Sequence, residues 1–171
     1  GDGITHRTLP GTYHPKAAYF TRGTSHDERA LYSEDNVNFR KLMDRLVRKY
    51  KSSKKYLPQP IVHGEGQIGF VAYGTSDPAL KELQVQLSAV GLKTAYMRIR
   101  ALPLVDEIKA FISQRKITYI VEQNRDAQLY HILLSEWPEL HTKVQSITQY
   151  DGLPLSADYL NSAFNQHQVQ L

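Results

Sequence analysis

The chain has 171 residues, 41% of them hydrophobic, and a formal net charge of +4. These values suit one globular domain with an attached arm and exclude an intrinsically disordered chain. The sequence has no cysteine, which excludes disulfides, thiolate nucleophiles and iron–sulfur ligation by this chain. No apolar run is long enough to cross a bilayer, so we expect a cytoplasmic protein that has no membrane partner.

The positive charge is concentrated in one stretch of the sequence. Residues 40–55 contain eight Lys or Arg and a single acidic residue, Asp44, a local balance of +7, so the rest of the chain carries −3. We expect a solvated helix face or a contact with an acidic partner. Nucleic-acid binding is disfavoured, because few aromatic residues lie beside these cations to stack on bases.

Residues 1–34 are predicted to form an irregular arm. Hydroxyl, imidazole and guanidinium side chains are interspersed there with glycine and proline, and no apolar periodicity is present. An amphipathic helix is predicted at about residues 36–51, where apolar residues recur every three or four positions. Its expected cap is Ser33 or Asp35.

Two prolines, Pro58 and Pro60, prevent that helix from continuing and separate residues 1–57 from residues 58–171. In the second part, β-branched and aromatic runs alternate with helical stretches of ten or more residues, which requires crossover connections and a parallel sheet. The predicted fold is α/β: a Rossmann-like, mostly parallel sheet preceded by the irregular arm and one helix. The four predicted strands are residues 68–73, 94–99, 117–121 and 144–148.

Polar residues are predicted to meet at the carboxyl ends of these strands, where ligands of open parallel sheets bind. They lie in residues 73–76, 98–100 and 122–126. Asp126 is a candidate binding residue at this edge. It suits equally well a role as the cap of the following helix, or as the ion-pair partner of Arg125.

Two other patterns bear on local structure. The Gly-Glu-Gly run at residues 64–66 precedes a strand instead of following one, so it does not match the dinucleotide-binding fingerprint. Pro78 suits the first turn of a helix, and Ser76 or Asp77 is the expected cap of that helix.

Arg7 is the most distinctive residue of the arm. A guanidinium group binds a carboxylate through two parallel hydrogen bonds, and the threonines at positions 5, 8 and 12 place hydroxyl groups near it. A solvated polar loop is the alternative interpretation of this segment. A metal site is disfavoured because the spacing of the available ligands matches no compact motif. The residues considered for it are His6, His14, His26 and Asp27.

Three separated motifs, in this order along the chain, carry a family resemblance. They are THRTLPGT at residues 5–12, TRGTSHDE at residues 21–28 and VEQNRDAQL at residues 121–129, with RALP at residues 100–103 between them. In these motifs the chain resembles the α-subunit of 2-oxoacid:ferredoxin oxidoreductases, specifically the 2-oxoglutarate branch. The resemblance is to the C-terminal portion of such a subunit. Because the sequence opens with Gly-Asp-Gly, we expect a fragment of a longer subunit.

The resemblance implies a fold and an activity. The second part should resemble the C-terminal domain of transketolases. The whole enzyme should decarboxylate a 2-oxoacid oxidatively to an acyl-CoA and pass the electrons to ferredoxin. By motif match, Arg7 would hold a carboxylate of the 2-oxoacid and Thr12 would assist it. His6 and Asp126 complete the candidate substrate-binding residues.

The resemblance also implies cofactors and partners. Thiamine diphosphate, Mg²⁺ and a 4Fe–4S cluster would belong to the whole enzyme and not be ligated by this chain, and coenzyme A would be the co-substrate. The expected partners are the β-subunit, the missing N-terminal part of the α-subunit and ferredoxin, with no nucleic acid. The chain alone should be inactive.

Three alternatives are open at this point. Other members of the family act on pyruvate or branched-chain 2-oxoacids, and nothing in the sequence excludes these substrates. The second alternative is a non-catalytic assembly domain of a multi-subunit complex. A free-standing nucleotide-binding domain is the third alternative, and we expect no binding of NAD or ATP.

Overall fold

A computed structural model describes residues 1–18 and 25–169 of the chain. The chain divides into two compact units, Gly1–Leu57 and Pro58–Leu171. Residues 21–24, which open the second motif of the family resemblance, lie outside the described residues.

The first unit contains one long helix, α1 (Asn36–Ser53), followed by a 3₁₀ turn over Lys54–Tyr56. The helix starts at Asp35, whose carboxylate accepts a hydrogen bond of 2.7 Å from the backbone N–H of Asn38. Asp35 is therefore the cap, and Ser33 is not. Within the predicted apolar face of this helix only Leu42 is buried, so most of the face is open to solvent.

The arm is irregular over its described residues, and its first residues lie against α1. The guanidinium of Arg45 donates to the carbonyl of Gly3 at 3.1 Å, and the hydroxyl of Ser52 donates to the carbonyl of Asp2. Gly3 has a φ of +84°, and a Cβ atom there would lie 2.6 Å from the carbonyl oxygen of Arg45. Only glycine allows this close approach, and together with the two hydrogen bonds it fixes where the start of the arm lies against α1.

The second unit is built on a five-stranded sheet in the order β1-β3-β2-β4-β5. Strands β2 to β5 are parallel to one another, and β1 pairs antiparallel with β3 at one edge. The prediction of an α/β fold with a mostly parallel sheet is confirmed. In chain order the elements are β1 (Ile61–His63), β2 (Ile68–Tyr73), α2 (Asp77–Ala89), β3 (Thr94–Ile99), α3 (Asp106–Ser113), β4 (Ile117–Glu122), α4 (Gln128–Glu136), β5 (Val144–Thr148) and α5 (Ala157–Val169).

Strand β1 is the element that the sequence does not predict. It has three residues, two of which, Ile61 and Val62, are more than a third exposed, so no alternation of buried and exposed positions marks it. It forms because its backbone pairs with the free edge of β3, a contact that only the assembled sheet offers.

The core of the second unit is centred on three buried aromatic rings. Phe70 on β2, Tyr119 on β4 and Phe164 on α5 have ring centroids 5.4 to 5.8 Å apart. Such pairs contribute about 0.5–1.5 kcal/mol each beyond the area they bury. They hold the last helix against the centre of the sheet, and this fixes the ends of β2 and β4 relative to each other.

The Gly-Glu-Gly run has a structural role in the turn between β1 and β2. A Cβ atom on Gly64 would lie 2.7 Å from the carbonyl oxygen of Thr94 and 2.9 Å from Nε2 of Gln84. That Nε2 atom donates to the carbonyls of His63 and Thr94. The turn therefore needs a residue without a side chain, because two backbone segments approach closely there.

A comparison of two glycines tests this close approach. Gly64 and Gly91 both have positive φ, +68° and +82°, but a Cβ atom on Gly91 would meet no other atom within 4 Å. We expect Gly91→Ala to lower the free energy of unfolding by roughly 1–2 kcal/mol through backbone strain alone. Gly64→Ala should cost about 1–3 kcal/mol more through the added clash. Equal losses in urea-induced unfolding would show that the turn relaxes and that the contact is unimportant.

Candidate functional site

The first unit contains an open cleft of about 780 Å³ between the arm and α1, which we call the N-terminal cleft. Six cationic and three acidic side chains line it, so its lining is net positive. The cations are Arg7, Arg29, Lys41, Arg45, Arg48 and Lys49, and the acids are Asp27, Glu28 and Asp44.

Helix periodicity places the α1 cations on this cleft. Lys41, Arg45, Arg48 and Lys49 are separated by four, three and one residues, so they share one side of α1. Arg45 is half-buried and bonds the carbonyl of Gly3, whereas the other three are exposed. The helix therefore presents a row of cations beside the segment of the arm that follows Gly3.

Few of these charges are neutralised inside the unit. Among the described residues, no acidic side chain lies within ion-pairing distance of Arg7, Lys41, Arg48 or Lys49. The Asp27 carboxylate is engaged elsewhere, since its Oδ1 atom accepts backbone N–H groups of residues 29 and 31. The cleft is thus a local concentration of unpaired positive charge.

Two of the four predicted site residues line this cleft, and two do not. Arg7 and His6 line it, and both side chains are exposed. The Thr12 hydroxyl instead donates to the carbonyl of Leu9 at 2.8 Å, within its own turn. Asp126 belongs to the second unit.

The sequence pattern alone does not assign the α1 cations to a site. It predicts a solvated face or a partner contact, because the pattern does not reveal which segment lies against that face. The signal that identifies them is their three- and four-residue spacing, taken together with a neighbouring polar arm that contains an arginine.

A second, smaller pocket lies at the carboxyl ends of the strands in the second unit, and we call it the strand-end pocket. Its volume is about 560 Å³. Thr75 follows β2 and Gln123 follows β4, and both lie in segments predicted for this edge. Gln149 follows β5 and was not predicted, whereas residues 98–100 do not line the pocket. None of its lining residues carries a charge, which makes it poorly suited to an anionic substrate. The others in its lining are Tyr150, Gly152, Leu153 and Pro154.

Glu122, at the end of β4, is fully buried and has a structural function. Its carboxylate accepts hydrogen bonds from the backbone N–H groups of Leu129 at 2.7 Å and Tyr130 at 2.9 Å, and from the side-chain amide of Asn124 at 2.8 Å. It thereby satisfies the first turn of α4, where orphan N–H groups and the helix dipole favour a negative charge.

Asp126 does not perform this capping. Its carboxylate binds the Arg125 guanidinium through two hydrogen bonds of 2.7 and 3.2 Å, and both side chains are exposed. The ion pair with Arg125 that the sequence offered as an alternative is therefore present. A surface ion pair of this kind contributes little to stability. The carboxylate of Asp126 remains exposed to solvent.

Asp77 is the other buried carboxylate near the strand ends. It is the first residue of α2 but does not cap it, because its oxygens accept hydrogen bonds from Lys81 at 2.8 Å and from the hydroxyl of Tyr96 at 3.1 Å. The guanidinium of Arg98 lies 3.7 Å from Asp77 and also donates to the carbonyl of Gly74. This network joins the ends of β2 and β3, as the sequence predicted for residues 73–76 and 98–100.

The network shifts two pKa values in opposite directions. Burial opposes ionisation of Asp77, but the hydrogen bonds from Lys81 and Tyr96 and the charge of Arg98 outweigh it and lower the pKa of the carboxyl group. Burial raises the pKa of Tyr96, and the neighbouring Asp77 charge raises it further. Asp77 is therefore ionised and Tyr96 is a neutral donor near pH 7.

This shift predicts a pH dependence of stability. Because the pKa of Asp77 is lower in the folded state, its contribution is complete above the unfolded value of about 4 and is lost as the pH falls through the folded value. Asp77→Asn should lower the free energy of unfolding by about 1–3 kcal/mol at pH 7. The difference in stability between the native protein and Asp77→Asn should become smaller below pH 4. Thermal unfolding followed by circular dichroism measures it.

Asp106→Asn is the matched control for that measurement. Asp106 lies in the first turn of α3 and is exposed. It should alter stability by a few tenths of a kcal/mol at most, within the range of surface substitutions. A difference between native and Asp77→Asn proteins that stays constant from pH 7 to pH 3 would contradict the role given to the Asp77 charge.

The described part of the chain has no group of three His, Asp or Glu side chains that could hold a metal ion. Nor does any helix in that part combine the length and the apolar character needed to cross a membrane.

No protein-family model matches the sequence, and a comparison with curated proteins gives no match either. Solved structures do match. The chain is similar to a 2-oxoglutarate:ferredoxin oxidoreductase from Magnetococcus marinus, solved with 2-oxoglutarate, coenzyme A and succinyl-CoA bound. The TM-score is 0.78 and the sequence identity 25%, over 96% of this chain and 29% of that one. The chain thus spans less than a third of the length of this relative.

A second match is to a split-gene transketolase that forms an inactive β4 tetramer. Its TM-score is 0.52 at 20% identity, over 63% of this chain and 40% of that chain. At this identity the likeness concerns the fold, and it confirms the transketolase-like α/β fold. Together the two matches confirm the resemblance to 2-oxoglutarate:ferredoxin oxidoreductases.

Proposed function

We propose that this chain is part of the α-subunit of a 2-oxoacid:ferredoxin oxidoreductase that acts on 2-oxoglutarate. The whole enzyme would convert 2-oxoglutarate and coenzyme A to succinyl-CoA and carbon dioxide, with two electrons passing to ferredoxin. The observation that carries the proposal is the similarity over 96% of the chain to an enzyme of this kind. The cationic N-terminal cleft, which contains the residue that the motif match selects, supports it.

The role proposed for Arg7 follows from the charge of the substrate. 2-Oxoglutarate carries two carboxylates, and Arg7 has no acidic partner among the described residues. Its planar guanidinium is therefore free to bind one carboxylate through two hydrogen bonds. His6, in the same lining, is placed to donate a further hydrogen bond.

Thr12 is a weaker member of the proposed site. A substrate carboxylate only accepts hydrogen bonds, so the Thr12 hydroxyl would have to donate to it. That hydroxyl already donates to the carbonyl of Leu9, and its assistance requires this bond to break. Asp126 is proposed as a site residue in the assembled enzyme only, where its exposed carboxylate would face another part of the subunit.

The cofactors of the proposed reaction are assigned to the rest of the enzyme, as the family resemblance implies. The absence of cysteine from this chain agrees with that division for the 4Fe–4S cluster. Thiamine diphosphate, bound elsewhere in the enzyme, would supply the nucleophile that adds to the ketone. This chain's contribution is to bind and orient the anionic substrate, together with the β-subunit and the rest of the α-subunit.

Substitution of Arg7 in the assembled enzyme tests the proposal. Loss of one charge-assisted bidentate contact, worth about 1.5–3 kcal/mol, should lower kcat/KM for 2-oxoglutarate by roughly ten- to a hundredfold in Arg7→Ala. Arg7→Lys should be intermediate, because it keeps the charge but loses the planar fork. The assay is reduction of a dye acceptor with coenzyme A present, with pyruvate and a branched-chain 2-oxoacid as comparison substrates.

Arg40→Ala is the control for that assay. Arg40 is an exposed arginine of α1 that does not line the cleft, so its loss changes the net charge equally and should leave the kinetics unaltered. Unchanged turnover in Arg7→Ala would remove Arg7 from the substrate site. Full activity on pyruvate with none on 2-oxoglutarate would assign the enzyme to another branch of the family.

The alternative role, an assembly domain, is favoured by one observation. The helix α1 exposes a group of large apolar side chains to solvent, and such groups mark surfaces that contact other chains. The residues are Phe39, Leu46, Val47 and Tyr50, whose spacing keeps them on neighbouring positions of one side of the helix.

An aspartate at this surface separates assembly from substrate binding. Val47→Asp should weaken co-elution with the β-subunit in size-exclusion chromatography, because it buries a charge in an apolar contact. The exposed Val85 of α2 provides the control, Val85→Asp. If Val47→Asp co-elutes with the β-subunit as the native protein does, this surface is not part of the interface. If Arg7→Ala loses activity but still assembles, Arg7 has a role in substrate binding and not in assembly.

A further inference from the structure

The N-terminal cleft holds more positive charge than a single 2-oxoacid requires. Arg7 alone suffices for a bidentate contact with one carboxylate, and one further cation would match the second carboxylate of 2-oxoglutarate. Six cationic side chains line the cleft against three acidic ones. Of the four that remain after Arg7 and Arg45, namely Arg29, Lys41, Arg48 and Lys49, the proposed substrate contact needs at most one.

Unpaired cations that face the same space repel one another. Lys41, Arg48 and Lys49 have no acidic partner within ion-pairing distance in the part of the chain that the structure describes. All three are exposed, so salt and solvent screen this repulsion without removing it. A multivalent anion bound in the cleft would be attracted to all of these cations at once, and this attraction would offset their mutual repulsion.

The size and chemistry of the cleft narrow the class of anion. A volume of about 780 Å³ is that of a small-molecule site. The lining contains no Phe, Tyr or Trp side chain among the described residues, so it offers no platform for stacking nucleic-acid bases. Guanidinium and ammonium groups along a helix suit a chain of phosphate groups, whose oxygens are close together and each accept several hydrogen bonds.

We propose that the α1 side of the N-terminal cleft is a binding site for the polyphosphate group of a small molecule. Arg48 and Lys49, one turn beyond Arg45, and Lys41, one turn before it, would contact successive phosphates. Arg45 itself positions the arm through its bond to Gly3. This site lies in the same cleft as the proposed substrate site. It rests on the proposed function in one respect: Arg7 is reserved for the 2-oxoacid and is not counted among the phosphate ligands.

Inorganic triphosphate is the probe, because it carries the charge without a base or a sugar. Calorimetric titration of the assembled enzyme should give saturable binding of triphosphate. Orthophosphate and citrate should bind at least about tenfold more weakly, since neither presents linked phosphates to successive cations.

Two double variants locate the site. Arg48→Ala with Lys49→Ala removes two charges from the cleft, and Arg40→Ala with Lys51→Ala removes two charges from the same helix outside the cleft lining. Alanine favours the helix in all four positions, so both proteins should fold, which circular dichroism will check. The first pair should weaken triphosphate binding at least about tenfold, and the second less than about twofold.

The proposal fails if triphosphate does not bind saturably, if citrate binds equally well, or if the two double variants weaken binding to the same extent. The last result would mean that the net positive charge of the helix attracts triphosphate and that no defined binding site exists. The titration uses no 2-oxoacid, so it is independent of the Arg7 assay. Binding that survives alongside unaltered turnover in Arg7→Ala would refute the substrate role of Arg7 and leave the polyphosphate site in place.

Discussion

The arrangement of the first unit depends on the close approach of Gly3 to the backbone of α1. Gly3 has a positive φ, and a Cβ atom there would lie 2.6 Å from the helix backbone, while the side chains of Arg45 and Ser52 donate to the carbonyls of Gly3 and Asp2. Once the start of the arm is fixed, the next few residues run beside the cationic row of the helix, and Arg7 becomes one side of a cleft. The missing side chain at residue 3, together with these two hydrogen bonds from the helix, thus decides where the charged side chains lie.

Charge is handled differently in the two units. In the second unit the buried carboxylates Glu122 and Asp77 are fully engaged, one by the first turn of α4 and the other by Lys81 and Tyr96. Burial of a charged group without such partners would cost several kcal/mol, so these bonds are a condition of the fold. In the first unit the cations are exposed and largely unpaired, which leaves their binding capacity for a ligand. This contrast is the physical reason to place the anion site in the first unit and not at the strand ends.

The strand-end pocket lies where ligands of open α/β sheets commonly bind, yet its lining is uncharged. The transketolase-like fold of the second unit therefore does not by itself provide an anion site, and recognition of anions is proposed for the first unit. A fold and the site that it carries have to be argued separately, as in many α/β proteins.

The sequence by itself determined most of the regular elements and the candidate arginine. Apolar spacing gives α1 and the four parallel strands, and it narrows the cap of α1 to Ser33 or Asp35, of which the structure selects Asp35. Those features are local, since each depends on residues a few positions apart. Arg7 was selected by its motif, and the structure places it in a cationic cleft.

Only the tertiary structure decided the rest. The edge strand β1 needs the free backbone of β3, Glu122 instead of Asp126 satisfies the first turn of α4, and the hydroxyl of Thr12 turns back to its own loop. The α1 cations line a cleft only because the start of the arm lies against the helix at Gly3. Each of these outcomes depends on which distant group occupies the neighbouring space, and local sequence patterns carry no information about that.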